Sequence, residues 1–227
     1  HGLSAEAAHR LAVLLDLVVS DPRSPTAVRD PAGILKEHLA DSLVALELPQ
    51  LATGPRAVDI GSGAGFPGLP LAVGLPEVEF VLLESVGRKC AFIETAVVAC
   101  GVRNVRVVQA RAEAWPEGLD RYDLATARAL APMEVVLEYA APLLRIGGRL
   151  IAWRGRRDAQ AEARATAAAA ALGMTIDEVV RVVPYSGAEH RHLHVASKVS
   201  ATPPRFPRRP GTARKRPLGG KRPDPGA

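Results

Sequence analysis

The stretch Val58-Asp59-Ile60-Gly61-Ser62-Gly63-Ala64-Gly65-Phe66-Pro67-Gly68 decides the fold, because closely spaced glycines interrupt an apolar run within it. The apolar pattern restarts as Leu69-Pro70-Leu71-Ala72-Val73, so the region predicts a strand, a tight turn and a helix. Glycine accepts positive φ and lets the backbone approach a ligand, and the N–H groups at a helix start can bind that ligand. The turn is therefore the predicted ligand-binding site.

Two cofactor classes use a glycine turn of this kind. The spacing Gly63-x-Gly65-x-x-Gly68 also satisfies the dinucleotide pattern, so the glycines alone do not choose between the classes. We expect the carboxylate of Asp59 to decide, because it would repel a pyrophosphate and attract a ligand with an ammonium and a sulfonium group. This favours S-adenosylmethionine as the cofactor, with Asp59 and Gly63 among its binding residues. The alternative for Asp59 is a contact that only stabilises the turn.

A second acidic residue, Glu84, ends the apolar run from Val78 to Leu83. It lies about 20 residues beyond the turn, where dinucleotide-type folds place the carboxylate that binds a ribose diol. We predict that Glu84 binds the ribose of the cofactor. The alternative is a solvated carboxylate at the end of a strand.

Composition and charge restrict the class of protein. With 227 residues, of which 48% are hydrophobic, the chain can bury a full core as one domain, with or without appendages. Its net charge of +5 is uneven, because residues 197–227 carry +8 and the remainder carries −3. A slightly acidic body with a basic tail indicates a polyanionic partner that the tail contacts.

Cysteine placement argues against a disulfide framework. Cys90 and Cys100 fall in one predicted helix, about 15 Å apart, and so cannot bridge each other. No CxxC pair or metal-type spacing is present, so we predict no metal and a reducing, cytoplasmic setting. No apolar run approaches the ~20 residues of a membrane span, and no membrane partner is expected. The sequence starts at His1 rather than Met, which leaves open a targeting segment before it.

Strand and helix patterns alternate after the glycine turn. The strands are predicted at 78–84, 105–109, 122–127, 149–153, 178–183 and 192–199, and the helices at 88–100, 133–140 and 158–172. Such alternation predicts right-handed crossovers and a doubly wound α/β domain with a mostly parallel sheet. The short link 184–188 is typical of a hairpin, so the last strand should be antiparallel.

Two amphipathic helices are predicted before the turn, one capped by Ser4 and one from about Pro31 to residue 46. On the second helix His38, Asp41 and Ser42 lie at i, i+3 and i+4, close enough to form one polar cluster. The alternative for His38 is a packing or surface position. We expect residues 1–53 to form an N-terminal helical segment and residues 54–199 to form the ligand-binding domain.

The last 28 residues have the composition of a disordered segment. Residues 200–227 are rich in proline and basic residues and contain almost no aliphatic side chains. We predict a disordered tail that binds nucleic-acid phosphates without sequence choice, because lysine and arginine release counterions from the phosphate backbone. The alternative is an extension that only increases solubility.

Six runs of the chain carry a resemblance to a known family. They are HLADSL (38–43), VDIGSGAGFPGLPLA (58–72), LLESVGRKCAFI (82–93), RAEAW (111–115), ATARALAPM (125–133) and GGRLIAWRG (147–155). In this order they resemble the ribosomal RNA small-subunit methyltransferase G family, also called glucose-inhibited division protein B. The resemblance covers roughly residues 28–199. The segment before Arg29 and the tail depart from the family pattern.

The resemblance implies a Rossmann-like class I S-adenosylmethionine-dependent methyltransferase fold. This fold has a mostly parallel seven-stranded sheet with an antiparallel last strand, preceded here by N-terminal helices. The resemblance also implies methylation of N7 of a guanine in 16S ribosomal RNA, within the 30S subunit or an assembly intermediate. The family positions that bind the methyl donor correspond to Gly61, Phe66, Ala112, Glu113 and Arg128. We expect a monomer.

The implied reaction limits which residues the chemistry needs. Guanine N7 has a lone pair and no proton, so its attack on a methyl group requires no general base, and the sequence assigns no catalytic base. We expect His38, Asp41 and Ser42 to line the base pocket, and Arg88 and Lys89 to contact phosphates. Two alternatives remain, a non-catalytic RNA-binding protein with a methyltransferase-like domain and a NAD-dependent oxidoreductase.

Overall fold

A seven-stranded sheet forms the centre of the computed structural model, which describes residues 2–51 and 54–219. In chain order the strands are Arg56–Ile60 (β1), Glu79–Glu84 (β2), Val105–Gln109 (β3), Tyr122–Arg128 (β4), Leu144–Arg154 (β5), Met174–Val182 (β6) and Arg191–Lys198 (β7). The spatial order is β3-β2-β1-β4-β5-β7-β6. The first five strands pair in parallel, and β7 runs antiparallel between β5 and β6. The predicted fold class, including the antiparallel last strand, is confirmed.

Helices cover both faces of the sheet. They are Ala5–Ser20 (α1), the composite helical segment 31–47 (α2), Gly68–Gly74 (α3), Gly87–Ala99 (α4), Met133–Ala140 (α5), Ala159–Ala171 (α6) and Thr212–Lys215 (α7). The apolar side chains form two clusters. Ala57 and Val58, neighbours on β1, belong to different clusters, as expected when successive strand residues point to opposite faces.

The first helix begins where the sequence predicts. The Ser4 hydroxyl accepts a hydrogen bond from the Ala7 N–H at 3.1 Å, which satisfies one of the free donors of the first turn of α1. Leu11, Leu14 and Val18 recur at helical spacing and are buried. The helix packs with α2 into the apolar cluster that contains Ala57 of the sheet. The N-terminal helices therefore share a core with the sheet.

Segment α2 is one helix with three kinds of turn. It starts at Asp30, whose carboxylate accepts the Gly33 N–H at 2.7 Å, and its middle part, Ile34–Ala40, is π-helical. A short α-helical stretch, Asp41–Leu43, and a 3₁₀ turn, Val44–Glu47, complete it. π-Helical turns are rare in proteins, and those that occur are often found at functional sites. The predicted boundary between the helical segment and the ligand-binding domain lies between residues 53 and 54. Residues 52 and 53 lie outside the described residues.

The prediction of a disordered tail is wrong for residues 200–219. Phe206 and Ala213 are buried in the second apolar cluster, and Arg208 pairs with the buried Glu138 of α5, with Nε and Oε1 2.6 Å apart. The composition correctly indicates that this segment cannot build a core of its own, but here it adds to a core that already exists. We call residues 203–218 the C-terminal arm. Residues 220–227 of the predicted tail lie outside the described residues.

Candidate active site

The glycine turn follows β1 at the carboxyl edge of the sheet. Gly61, Gly63 and Gly65 have φ values of +72°, +63° and +92°, a region that side-chain-bearing residues rarely adopt. The Gly61 N–H donates to the Leu83 carbonyl at 2.7 Å and so ties the turn to β2. A Cβ atom on Gly61 would lie 2.5 Å from Cδ1 of Leu130. A larger residue there would force the end of the Leu130 side chain to move.

The carboxylate of Asp59 lies beneath the turn and does not face the crevice. It is fully buried, and its two oxygens accept hydrogen bonds from the Gly68 N–H at 3.2 Å and the Thr126 hydroxyl at 2.8 Å. Burial raises the pKa of Asp59 to about 6. The expectation of a direct charge contact with a ligand is therefore corrected, because the carboxylate holds the shape of the turn.

A crevice of about 320 Å³ opens beside the turn. It is lined by residues at the ends of β1 and β2, by the segment after β3 and by side chains from farther along the chain, namely Ile60, Gly61, Leu83, Ser85, Ala110, Arg111, Ala112, Glu113, Leu130, Tyr139 and Arg214. The structure thus brings Gly61, Ala112 and Glu113 together, although the sequence places them in separate motifs. Ligands of doubly wound sheets bind at this edge.

Glu84 links the turn to the end of β2. Its Oε2 accepts the Gly63 N–H at 3.1 Å, and its Oε1 accepts the N–H groups of Ser85 and Val86 at 2.7 and 2.9 Å. The carboxylate therefore lies at the same edge as the glycine turn. Binding of a ribose by Glu84 stays a prediction.

Phe66 connects the turn to α2 through stacked rings. The His38 ring stacks on the Phe66 ring with centroids 4.9 Å apart, and the Arg128 guanidinium lies 5.5 Å from the same ring centroid. His38 Nε2 is 2.7 Å from the Thr26 hydroxyl. Burial, assisted by the charge of Arg128, lowers the pKa of His38, so this imidazole is neutral at pH 7.

A second pocket of about 390 Å³ is lined largely by charged side chains. Its lining residues are Glu37, Asp41, Arg128, Ala129, Trp153, Arg154, Gly155 and Arg191. Arg128 Nη1 donates to the Glu37 carbonyl at 2.9 Å and to Asp41 Oδ2 at 3.0 Å, so its guanidinium holds α2. Binding of the donor by Arg128 stays a prediction.

Two buried atoms of the second pocket lack hydrogen-bond partners among the described residues. Asp41 Oδ1 and Arg191 Nε are 3.3 Å apart, which makes an ion pair, but their geometry is not that of a hydrogen bond. The two charges therefore face each other at the pocket, and the Asp41 carboxylate also accepts from Arg128.

The remaining predicted substrate residues are placed differently. Ser42 is fully buried and donates to the His38 carbonyl, so the prediction that it lines the base pocket is wrong. The hydroxyl of a serine inside a helix often donates to the backbone carbonyl four residues earlier. Arg88 is exposed and Lys89 half-buried at the start of α4, and neither lines the two pockets. Their phosphate contacts stay a prediction.

Sequence reasoning missed several side chains of the two pockets. Trp153 and Arg154 end β5, where the sequence predicts a strand at 149–153 but assigns these side chains no role, and Arg191 starts the last strand. Their position at strand ends was a usable signal. Arg214 had no such signal, because the composition of its segment predicted disorder.

The chain can now be compared with known proteins. The model of the rRNA small subunit methyltransferase G family matches residues 19–194. The chain belongs to this family. The matched region includes α2, the glycine turn and every residue that lines the two pockets except Arg214, and the family's methyltransferase activity and its use of S-adenosylmethionine apply to this chain.

Curated relatives in this family are similar over most of their length. The ribosomal RNA small subunit methyltransferase G of Roseiflexus castenholzii is 43% identical over 198 residues, which cover 85% of this chain and 83% of the relative. The protein of the same name from Desulfitobacterium hafniense is 37% identical over 221 residues, 95% of this chain and 91% of the relative. The latter match therefore includes much of the C-terminal region.

Solved structures show the same fold at low sequence identity. A variant of the 16S rRNA (adenine(1408)-N(1))-methyltransferase of Catenulisporales acidiphilia, with SAM, has a TM-score of 0.54 and 19% identity, covering 68% of this chain and 89% of that one. A variant of MtNAS in complex with S-adenosylmethionine gives 0.57 and 18%, covering 86% and 73%. Within the described residues, no helix has the length and apolar character needed to cross a bilayer.

Proposed function

We propose that this chain methylates N7 of a guanine in 16S ribosomal RNA, with S-adenosylmethionine bound in the crevice and the guanine in the second pocket. One observation carries the proposal: consecutive residues at the end of β4 line both cavities. Leu130 lines the crevice, whereas Arg128 and Ala129 line the second pocket. Ala129 has a φ of +53°, a strained value that is typical of functional sites. A donor and a base bound in the two cavities would meet beside these residues, where N7 can attack the methyl group directly and the sulfonium leaves as a neutral thioether.

The residues of the crevice suit the proposed donor. Gly61 leaves the wall free of a Cβ atom, and Ala112 and Glu113 follow β3 at the edge where such sheets bind nucleosides. When bound, S-adenosylmethionine supplies an electrophilic methyl group. Phe66 and Glu84 hold the turn around this position through the His38 stack and the Gly63 N–H.

Two charged residues that line the second pocket match one edge of guanine. Guanine presents N–H donors at N1 and N2 beside its O6 acceptor, and the Asp41 carboxylate and the Arg191 guanidinium are the complementary types of acceptor and donor. Adenine reverses the donor and acceptor at the corresponding positions, so it would place like groups together. Asp41 and Arg191 are therefore proposed to select guanine.

The chemistry requires positioning and charge rather than proton removal. Because N7 carries no proton, the neutral His38 has no proton to accept, and its ring packs against Phe66 instead. The guanine gains positive charge while the sulfonium loses it, and Asp41, already paired with Arg128 and Arg191, contributes by positioning the base.

The partner and location follow from the proposed substrate. A ribosomal RNA base is presented by the 30S subunit or by an assembly intermediate, and the enzyme would meet either in the cytoplasm. Arg88 and Lys89 at the start of α4 and the exposed arginines of the arm supply positive charge for phosphates. We infer a monomer, which size-exclusion chromatography with light scattering would test.

The experiment is transfer of a labelled methyl group to small subunits that lack the modification. The expected product is N7-methylguanine at one position, which borohydride and aniline cleavage followed by primer extension would locate. Binding to the subunit without incorporation would support a non-catalytic RNA-binding protein instead. Titration calorimetry with NAD and with S-adenosylmethionine tests the oxidoreductase alternative, because a NAD-dependent oxidoreductase must bind NAD.

Guanine selection is tested by Asp41→Asn, with Asp16→Asn as the matched control. Asp16 is exposed on α1 and lines neither pocket. We expect Asp41→Asn to lower kcat/KM for the subunit by at least about tenfold, the size of one charge-assisted hydrogen bond. Melting temperatures of both variants identify any loss that comes from unfolding. An unchanged kcat/KM in a folded Asp41→Asn variant would remove the proposed role.

A further inference from the structure

The C-terminal arm ends against the crevice that the glycine turn opens. The Gly211 N–H donates to Glu113 Oε1 at 3.0 Å, and Arg214 Nη2 donates to the Leu130 carbonyl at 2.8 Å. Both acceptors belong to residues that line the crevice, and Arg214 lines it as well. The arm therefore forms part of the crevice wall.

The arm is anchored before it reaches the crevice. Phe206 is only 8% exposed, and the guanidinium groups of Arg205 and Arg208 lie 5.1 and 5.9 Å from its ring centroid. Arg208 also pairs with the buried carboxylate of Glu138 and donates to the Arg216 carbonyl at 3.0 Å. An exposed segment that only bound RNA would need none of these contacts.

Charge and geometry at the arm's end indicate a role in ligand binding. The Arg214 side chain is exposed, and its hydrogen bond to Leu130 uses one of its five N–H donors. The Tyr139 phenol interacts with both Arg214 and Glu113, so the three side chains form one polar wall. Such a wall offers several donors and a planar cation to a ligand.

We propose that the C-terminal arm belongs to the donor-binding site and that Arg214 binds the adenine end of S-adenosylmethionine. This inference rests on the proposed position of the donor in the crevice. Adenine has ring-nitrogen acceptors for guanidinium donors and an aromatic face on which a guanidinium stacks. The adenine end carries no charge, so Arg214 there would not meet the ammonium and sulfonium groups directly.

The test is titration calorimetry without RNA on the full chain. The probes are S-adenosylmethionine, S-adenosylhomocysteine and 5′-methylthioadenosine, which share the adenosine part and differ in charge and in the methionine part. We expect Arg214→Ala to weaken the binding of all three probes by a similar factor of about ten, the equivalent of one charge-assisted hydrogen bond. Lys215→Ala is the matched control, because Lys215 is exposed on the same helix and does not line the crevice. It should leave the three dissociation constants unchanged.

Three results would overturn the inference. Unchanged affinities in Arg214→Ala, with a wild-type chain that binds the probes, would show that the arm is not part of the site. A loss for S-adenosylmethionine and S-adenosylhomocysteine but not for 5′-methylthioadenosine would assign Arg214 to the methionine end instead. A wild-type chain that binds none of the probes would overturn both this inference and the proposed function.

Discussion

The buried carboxylate of Asp59 makes the stability of the fold depend on pH. Its pKa is raised to about 6 in the folded chain from an ordinary value of 3.8, because burial disfavours the charged form. The folded state therefore binds this proton more tightly than the unfolded chain, and stability falls as pH rises from about 4 to about 6. In Asp59→Asn that loss is absent.

We expect the unfolding free energy of Asp59→Asn to rise relative to wild type by about 2 to 3 kcal/mol between pH 4 and pH 7. Urea denaturation at both pH values measures it. Asp16→Asn, which removes an exposed carboxylate, should show no such change. A difference between Asp59→Asn and wild type that stays constant with pH would contradict the burial of an ionisable group.

Gly61 and Gly63 form a matched pair for testing the turn. Both have positive φ, so alanine at either position costs about 1 kcal/mol of backbone strain. Only Gly61→Ala also creates a clash that the Leu130 side chain must move to relieve, because the atom nearest to a Cβ on Gly63 is the Gly61 carbonyl oxygen at 3.9 Å. We expect Gly61→Ala to weaken S-adenosylmethionine binding more than tenfold and Gly63→Ala much less. Calorimetry measures both, and equal losses would exclude the clash as the cause.

At the residue scale, the sequence predicted which residues lie at the carboxyl edge better than where their side chains point. The glycines of the turn were predictable because positive φ favours glycine at every such position. The direction of Asp59 was not, because it depends on Thr126, a partner on another strand 67 positions away. The predicted direction of the Ser42 side chain was wrong for a similar reason, because its hydroxyl donates to the His38 backbone carbonyl.

At the element scale, the start of α4 carries two basic residues that pair with no carboxylate among the described residues. If Arg88 and Lys89 contact RNA phosphates, replacing both with alanine should reduce the slope of log affinity against log salt by about 1.5 to 2. Arg103, exposed near the amino end of β3, is the matched control and should leave the slope unchanged. Filter binding of small subunits between 50 and 200 mM salt, roughly the range in which such slopes are measured, decides the question.

Element positions were largely predictable, and the exceptions have physical causes. The alternation of apolar runs predicted β3 and α5 to the residue, because strand and helix periods differ clearly. The π-helical turn of α2 was not predictable, because in so short a run the spacing of apolar residues does not distinguish a π-helix from an α-helix. The docking of the arm depends on one aromatic ring and on ion pairs with distant residues, which composition does not report.

At the scale of the whole molecule, two buried groups have opposite pH dependences. Burial lowers the pKa of His194 on β7 to about 4, so the unfolded chain binds its proton more tightly and stability falls as pH decreases from about 6.5 to about 4. Asp59 acts in the reverse direction over nearly the same interval. The two contributions partly cancel in the wild-type chain.

We therefore expect His194→Gln to gain about 2 to 3 kcal/mol over wild type when pH decreases from 7.5 to 4.5. The double variant with Asp59→Asn lacks both titrating groups, so the pH dependence that they give to the unfolding free energy should be nearly absent. Urea denaturation of the four proteins at both pH values tests this. A profile of the double variant that follows either single variant would show that the two groups do not compensate.

The arm should also stabilise the whole molecule. A chain that stops after Thr202 loses the buried Phe206 and Ala213 and leaves the Glu138 carboxylate without Arg208. We expect its melting temperature to fall by about 5 to 10 °C, as a loss of about 2 to 3 kcal/mol implies for a domain of this size. A chain that stops after Gly219 keeps these contacts and should melt above the chain that stops after Thr202. Equal melting temperatures of the two shortened chains would contradict the anchoring.

The order of synthesis gives the docked arm a further consequence. A ribosome makes this polypeptide from its amino end, so every strand and the glycine turn emerge before residues 203–218 do. A nascent chain can therefore assemble its sheet while the crevice still lacks Arg214. If the arm completes the crevice, a chain released from the ribosome before residue 214 is made would fold without full affinity for its methyl donor.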